Sequence, residues 1–304
     1  MKKLGIWIPT RPTLRAVDKK NPGIFLESVA SEIVRELKTE FEVVEGLDFR
    51  NASIRDGKVF FDEFDASQLD GYLWFSDMNK HSDSHDILVL EKLEVTVPVI
   101  NPTKGLRIGL DKIKTSSFLK DNKIPVPEFA LVNSTDEKTI RWIFENWGSV
   151  LVKPRFGSFG VGIYKADDPD DLLDLIDFSG IDTIYVEKFY ENDMSDWCGI
   201  NVVGGEILYA YGKHETKIKG YKVLDRKRLG GAMTKKTVDE TQKNIALSVA
   251  KATGMDFFGV DLIKTKDGRY LVVDLNTFPG IYPEMREPKE IATEFLRMVK
   301  IRLG

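Results

Sequence analysis

The sequence predicts a mixed fold: an α/β unit over roughly residues 1–100, followed by α+β segments richer in antiparallel strands. Three observations predict it. Short apolar runs alternate with helical-period segments through the first hundred residues. A glycine-rich stretch from Gly157 to Gly162 interrupts the middle third. Glycine turns, Gly204-Gly205 and Asp267-Gly268, separate β-rich runs in the last third.

Each element has a local reason. Residues 4–9 read as a buried strand. Asn21-Pro22 then supplies an N-cap and a first-turn proline, and Leu26, Val29, Ile33 and Leu37 follow at helical spacing. Short strands are expected at 41–44 and 72–75, a helix near 84–94 and a strand at 97–100. Asn101-Pro102 punctuates the end of this unit. One helix is expected around 107–121, stopped before Ile124-Pro125-Val126-Pro127. Ser134 with Glu137 reads as a capping box for a helix whose buried face is Ile140, Ile143, Phe144 and Trp147. A strand at 149–153 leads into the glycine-rich stretch, and Asp168-Pro169 opens a helix holding Leu172 and Ile176. Strands at 198–203 and 206–211 flank Gly204-Gly205. Thr237 with Glu240 reads as a second capping box, with Gly254 ending that helix. Strands at 257–264 and 269–276 flank Asp267-Gly268. A closing helix buries Ile291, Phe295, Met298 and Ile301 or Arg302.

Composition excludes several classes of function. The chain has 304 residues, with 44 Lys+Arg against 48 Asp+Glu, which argues against a dedicated nucleic-acid binder. Cys198 is the only cysteine, so disulfide frameworks and thiolate zinc sites are excluded. His81 and His85 share the i, i+4 spacing of a helical metal site, but Ser82, Asp83 and Ser84 make that stretch a polar loop. No apolar run reaches the ~18 residues of a membrane span. The apolar N-terminal stretch, ended by Pro9, is too short for a signal-peptide core, so a cytoplasmic setting without membrane partners is expected. The charge is polarised: residues 167–196 hold 11 acids and one lysine, and residues 213–236 hold nine Lys/Arg and two acids. Such runs are usually solvated faces; a cationic loop meeting an anionic substrate is the functional reading.

Chemistry enters at the last hairpin. If Asp267 and Gly268 form a two-residue turn, Asp261 lies directly opposite Asp274, and Asn276 shares their face. Facing carboxylates repel. A hard cation such as Mg²⁺ offsets that repulsion, and keeps coordination sites for substrate phosphates; a solvated surface hairpin is the plain alternative. Lys153, Pro154 and the glycines 157, 160 and 162 form a strand end followed by a loop with exposed amides, the geometry that cradles phosphates. Its G-x-x-G-x-G spacing is neither a Walker loop nor a dinucleotide fingerprint. Lys112, alone, reads as a surface lysine, and Glu187, alone, as the end of a core strand.

Taken in order, these pieces resemble the ATP-grasp superfamily, in its RimK-like and glutathione-synthetase-like carboxylate–amine ligase branch. The resemblance runs through Leu110-Asp111-Lys112, Val152-Lys153-Pro154 and its glycine loop, Val186-Glu187-Lys188-Phe189, Val202-Val203-Gly204-Gly205-Glu206, Gly230-Gly231, Phe258-Gly259-Val260-Asp261 and Val273-Asp274-Leu275-Asn276-Thr277-Phe278-Pro279-Gly280. It implies an N-terminal α/β pre-ATP-grasp domain (1–103), a central lid subdomain with the flap (104–190) and a C-terminal subdomain with the metal site (191–304).

It also implies ATP and one or two Mg²⁺ ions, with Mn²⁺ as a substitute, acting on small-molecule carboxylate and amine substrates, an amino acid or small peptide. Lys112 and Lys153 contact the phosphates in this reading. Gly157, Ser158, Phe159, Gly160 and Gly162 close over them. Glu187, Lys188 and Phe189 hold the adenine edge, and Asp196 the ribose, with Glu191 and Asp193 as rivals. Asp261, Asp274 and Asn276 match the metal ligands, and Lys213, Arg226 and Arg228, on the acceptor side, are the candidate catalytic residues, the arginines stabilising the acylphosphate or binding a carboxylate-rich acceptor. Cys198 reads as buried and inert. Two departures stand out. The family usually has Glu where Asp274 stands, and an arginine that helps hold substrate is missing around Trp197-Cys198-Gly199-Ile200. The branch often pairs or forms tetramers, so a homo-oligomer is compatible. The expected reaction is amide formation through an acylphosphate; the alternatives are a phosphotransferase or a non-catalytic ATP-binding module.

Overall fold

In the first hundred residues, buried strands alternate with helices and stack side by side. The computed structural model describes residues 1–8, 27–76, 78–79, 81, 83–157, 160–213, 218–223 and 233–304. Strands β1 (Lys3–Trp7), β2 (Glu42–Val44), β6 (Gly71–Trp74) and β7 (Val99–Ile100) form a parallel sheet in the order β2-β1-β6-β7, with helices α1 (Glu27–Leu37) and α2 (His85–Glu94) in the connections. Val29, Ile33 and Leu37 are fully buried, as the helical spacing requires. The Asn21-Pro22 start lies outside the described residues. Between β2 and β6 runs a small antiparallel sheet, β3 (Ser53–Arg55), β4 (Lys58–Phe61) and β5 (Phe64–Asp65), that the sequence reading left out. Its signal was present: Asp56-Gly57, both at positive φ, makes the first turn.

Residues 107–121 are not one helix. They divide into α3 (Thr103–Gly109) and α4 (Lys112–Asp121), broken where Asp111 leaves helical geometry to cap α4. Leu106 and Leu110 belong to the core under the first sheet, and Leu119 and Ile124 to the core of the last, while α4 also meets the lid sheet through Ser116 on Tyr185 and Lys120 over the Phe129 ring. Strands β8 (Phe129–Asn133), β9 (Val150–Lys153), β10 (Tyr164–Ala166) and β11 (Thr183–Lys188) make an antiparallel sheet in the order β10-β9-β11-β8. Helices α5 (Glu137–Trp147) and α6 (Pro169–Ser179) cover it around a separate core of Ile140, Ile143, Val150, Leu172 and Ile176. The N-cap of α5 is Asp136, not Ser134.

The largest sheet runs β16-β13-β12-β17-β18, from β12 (Cys198–Val203), β13 (Glu206–Lys213), β16 (Met233–Lys236), β17 (Phe257–Lys264) and β18 (Tyr270–Asn276). The short pair β14 (Ile218–Lys219) and β15 (Lys222–Val223) lies in the β13–β16 connection. Helix α7 (Glu240–Thr253) carries a capping box built from Asp239 and Gln242, not Thr237 and Glu240, and ends at left-handed Gly254. Helix α8 (Pro288–Leu303) buries Ile291, Phe295, Met298 and Val299, while Ile301 is exposed and Arg302 faces Asp256 at 3.8 Å. One core continues from Leu4, Ile6 and Ile33 through Phe257 to Phe295, joining the first and last sheets. Asn101, fully buried, accepts from the amides of Asp256 and Phe257 and fastens the end of the α/β unit to β17. None of the described helices is long and apolar enough to cross a membrane.

Candidate active site

Asp261 does face Asp274, but not for the reason the sequence offered. The turn is a three-residue loop of Lys266, Asp267 and Gly268, closed by the Thr265 amide on the Arg269 carbonyl, with Gly268 at φ +85°. That shifts the register by one residue from the two-residue expectation. A bulge then inserts Val273 into β18 and shifts it back between Leu262 and Asp261. The two displacements cancel. The bulge also turns the Val273 carbonyl to accept from Lys153 Nζ at 3.1 Å.

Two lysines converge on this hairpin from different elements. Lys112, the first residue of α4, donates to Asp274 Oδ1 at 2.7 Å. Burial works against its charge, but Asp274, Glu187 and Asp261 together hold its pKa above the ordinary lysine value. Lys153 ends β9 and lies 2.5 Å from Glu187 Oε2. Lys153 and Glu187 are 6% and 3% exposed, so this is a buried ion pair. Glu187 also accepts from the Tyr185 hydroxyl at 2.9 Å, which in turn meets Ser116 Oγ at 2.7 Å.

Burial and the facing Asp274 push the Asp261 carboxyl well above the usual carboxylate range, against the pull of Lys213, Asn276 and Lys112. Its Oδ1 is buried and has no hydrogen-bond partner among the described residues. An orphaned carboxylate oxygen beside a second carboxylate and an amide is a donor set that fits a hard divalent cation. No group of three or more His, Cys, Asp or Glu side chains suited to a metal occurs among the described residues. The candidate set is therefore two carboxylates and Asn276, which leaves coordination sites for phosphate oxygens.

The root of the glycine loop is latched to the same place. Arg155 makes a bidentate pair with Asp111 at 2.9 and 2.7 Å, and the Lys112 amide donates to the Arg155 carbonyl. Pro154 sits between the two arms of the loop. A Cβ on Gly157 would lie 3.0 Å from Pro154 Cβ, and one on Gly162 2.6 Å from Pro154 Cγ, with Gly162 at φ +78°. Only glycine fits the latter position. Ser158 and Phe159 lie outside the described residues.

Other expected residues fall as follows. Glu187 is buried and pairs with Lys153. The Lys188 and Phe189 amides donate to the Glu128 and Ser149 carbonyls. Phe189 carries Lys165 Nζ 4.8 Å over its ring and packs edge-on to Tyr221. Glu191 pairs with Lys266, Asp193 caps its own turn at Ser195, and Asp196 is exposed beside them. Lys213 lies over the rings of Trp197 and Tyr211 at 5.5 and 5.2 Å. Arg226 and Arg228 lie outside the described residues. Cys198 is buried, and burial raises its thiol to about 11. The Asp111–Arg155 latch and the Lys153–Glu187 pair were missed by the sequence reading. Strand pairing held the second: Lys153 is opposite Tyr185, and Glu187 lies two residues further on the same face.

A lid sheet and a large sheet that close on a lysine-and-carboxylate centre define an ATP-grasp protein. Residues 109–299 match the RimK-like ATP-grasp domain, and the chain belongs to that family. It is an ADP-forming ligase that joins a carboxylate to an amine through an acylphosphate. Among its relatives, the tetrahydromethanopterin:alpha-L-glutamate ligase of Methanocaldococcus jannaschii is 28% identical over 258 residues, covering 82% of this chain and 83% of that one. A probable alpha-L-glutamate ligase of Enterobacter sp. is 24% identical over 184 residues, 60% of each chain. The crystal structure of the D-cycloserine synthetase DcsG superposes with a TM-score of 0.69 at 15% identity, over 99% of this chain and 100% of that one.

Proposed function

We propose that the chain adds L-glutamate, as the amine, to a small-molecule carboxylate, with Mg²⁺ as its metal and Mn²⁺ as a competent substitute. The observation that carries this reading is the facing, half-buried Asp261–Asp274 pair beside the Lys112 and Lys153 ammonium groups. The two lysines neutralise the oxygens of the transferring phosphoryl group, which is positioning and electrostatics with no protein base required. Asp261, Asp274 and Asn276 hold the metal, which when bound supplies further neutralisation of phosphate charge.

The amides of the Gly157–Gly162 loop, with Ser158 and Phe159, close over the phosphates and exclude the water that would hydrolyse an acylphosphate. Glu187 acts on the nucleotide through Lys153, and Lys188 and Phe189 flank the adenine. Asp196 takes the ribose, because Glu191 and Asp193 are already engaged. Lys213, Arg226 and Arg228 face the acceptor. Residues 1–103, 104–190 and 191–304 act as the three units of the cleft, with α3 and α4 as the floor on which the lid turns. Two relatives named for α-L-glutamate ligation favour glutamate, and so does the nine-to-two excess of Lys/Arg over acids in residues 213–236, which suits a dicarboxylate. A cytoplasmic setting and a homo-oligomer complete the reading.

The test is ATP-dependent phosphate release with L-glutamate and a panel of small carboxylates, with mass spectrometry of the product. Release that requires both partners and yields an amide supports the reading. A stable phosphorylated product formed without any amine overturns it.

A further inference from the structure

The face of the large sheet that carries Asp261 is ordered into rows by its register. One row runs Asp274, Asp261, Gly199, Tyr211, and the next runs Asn276, Gly259, Asn201, Tyr209. Each row sets a glycine between the metal side and the tyrosine side. Strands lie about 4.8 Å apart, so a missing side chain opens a trough into which a neighbour can lean. The neighbours do lean in. A Cβ on Gly199 would lie 2.6 Å from Tyr211 Cζ. One on Gly259 would lie 3.0 Å from Asn201 Oδ1 and 3.5 Å from Asn276 Cβ. Past the end of β18, one on Gly280 would lie 2.3 Å from the Tyr282 hydroxyl oxygen.

The polar atoms in these troughs close a network. Asn201 is fully buried, and its Nδ2 donates to the Tyr209 hydroxyl at 2.9 Å and to the Gly280 carbonyl at 2.7 Å. The Tyr209 hydroxyl donates to the same carbonyl at 3.1 Å and accepts from the Tyr282 amide at 2.9 Å. A carbonyl can only accept, so the Asn201 atom facing Gly280 is the amide nitrogen. That leaves Asn201 Oδ1 over Gly259, buried and without a hydrogen-bond partner among the described residues. Tyr282 then packs edge-on to Tyr211 at 5.3 Å, which returns the chain of contacts to the Asp261 row.

β18 ends at Asn276, opposite Gly259 of β17, and the segment that follows lies outside the ladder. Ile281, 1% exposed, and Phe278, packed on Phe75, seat it in the apolar core, and the Asn201 and Tyr209 side chains hold its backbone at Gly280 and Tyr282. We propose that Asn201 and Tyr209 are positioning residues: they clamp residues 277–282, and through that segment they set where Asn276 stands against Asp261 and Asp274. The proposal rests on the reading of those three residues as the metal site. Neither Asn201 nor Tyr209 touches the reacting groups; their effect passes through Gly280 and Tyr282.

The test uses the full chain with Tyr209→Phe, which removes one hydroxyl and keeps the ring, and with Asn201→Leu. Hydrogen exchange is followed by mass spectrometry in peptides covering 277–285 and, as reference, the α7 helix. Loss of the clamp's hydrogen bonds predicts exchange about tenfold faster in 277–282 with α7 unchanged. Mn²⁺ binding in the presence of ADP, read by electron paramagnetic resonance, weakens by roughly three- to tenfold, while ADP binding without metal stays the same. Unchanged protection of 277–282, or an equal loss of protection in α7, overturns the proposal. If Asn201→Leu does not fold, Tyr209→Phe decides alone. A wild-type chain that fails to bind Mn²⁺ with ADP refutes the metal-site reading, and the clamp's hold on 277–282 is then judged from exchange without ligand.

Discussion

Replacing Lys153 by Met tests the centre of the site without any ligand. Lys153 Nζ lies 2.5 Å from Glu187 Oε2 and donates to the Val273 carbonyl, and both side chains are almost wholly buried. Without Lys153, the Glu187 carboxylate keeps one donor, the Tyr185 hydroxyl. Leaving one member of a buried pair uncompensated costs about 3–5 kcal/mol, whereas replacing both members by neutral groups of similar size is close to neutral. Lys153→Met is therefore expected to lower lid stability by about 3–5 kcal/mol, and Lys153→Met/Glu187→Gln to recover all but about 1 kcal/mol. Both residues sit on the lid sheet, and the lost Val273 contact reaches β18: hydrogen exchange in β9, β11 and around Val273 accelerates, while α8 keeps its protection. Denaturant unfolding of the single and double variants supplies the cycle. The double variant, stable again, should still fail to bind ATP tightly, because the phosphate-facing cation is gone. A Lys153→Met chain as stable as the wild type, or a double variant as unstable as the single, would refute the buried-pair argument.

Further outcomes follow from the same structure. Asp261→Asn removes a facing like charge and is expected to raise the thermal midpoint of the metal-free chain while abolishing metal-dependent nucleotide binding, measured by calorimetry. A midpoint that falls counts against the repulsion argument. Burial raises Asp256 to about 6, with Arg302 pulling it down and Glu94 pushing it up. A carboxyl raised in the folded state costs stability as pH climbs from its unfolded value of about 4 through 6. Asp256→Asn should thus stabilise by about 1–3 kcal/mol at pH 7.5 and by almost nothing at pH 4, in denaturant melts at the two pH values. Gly162→Ala places a Cβ against Pro154 at positive φ and should cut kcat at least tenfold in a steady-state assay. The Cys198 thiol should resist iodoacetamide at pH 8 in the native chain and react once the chain is denatured.

Local chemistry was readable where few residues decide the outcome. Val29, Ile33 and Leu37 form a buried face because helical period alone brings them together. Gly204 and Gly205, both at positive φ, turn the β12–β13 hairpin as their sequence suggests. Helix starts were read less well. Ser134 and Thr237 are good caps in isolation, but Asp136 and Asp239, two residues later, took the role in each case. Any of several polar side chains can cap a helix start, and packing of the apolar face chooses among them. The break between α3 and α4 was invisible to periodicity because Asp111 stops the helix only while capping the next one and binding Arg155.

The sequence by itself determined the residue types of the site, the order of its strands along the chain, and a hairpin with acids on both arms. Tertiary structure decided how those pieces meet. It supplied the Val273 bulge that restores the Asp261–Asp274 register, the burial that pairs Glu187 with Lys153, and the contact of α4 that delivers Lys112 to Asp274. The physical reason is one of range. Turn and helix preferences are properties of a few adjacent residues, whereas a one-residue shift in register, or a salt bridge between residues 112 and 274, depends on which sheets share a core.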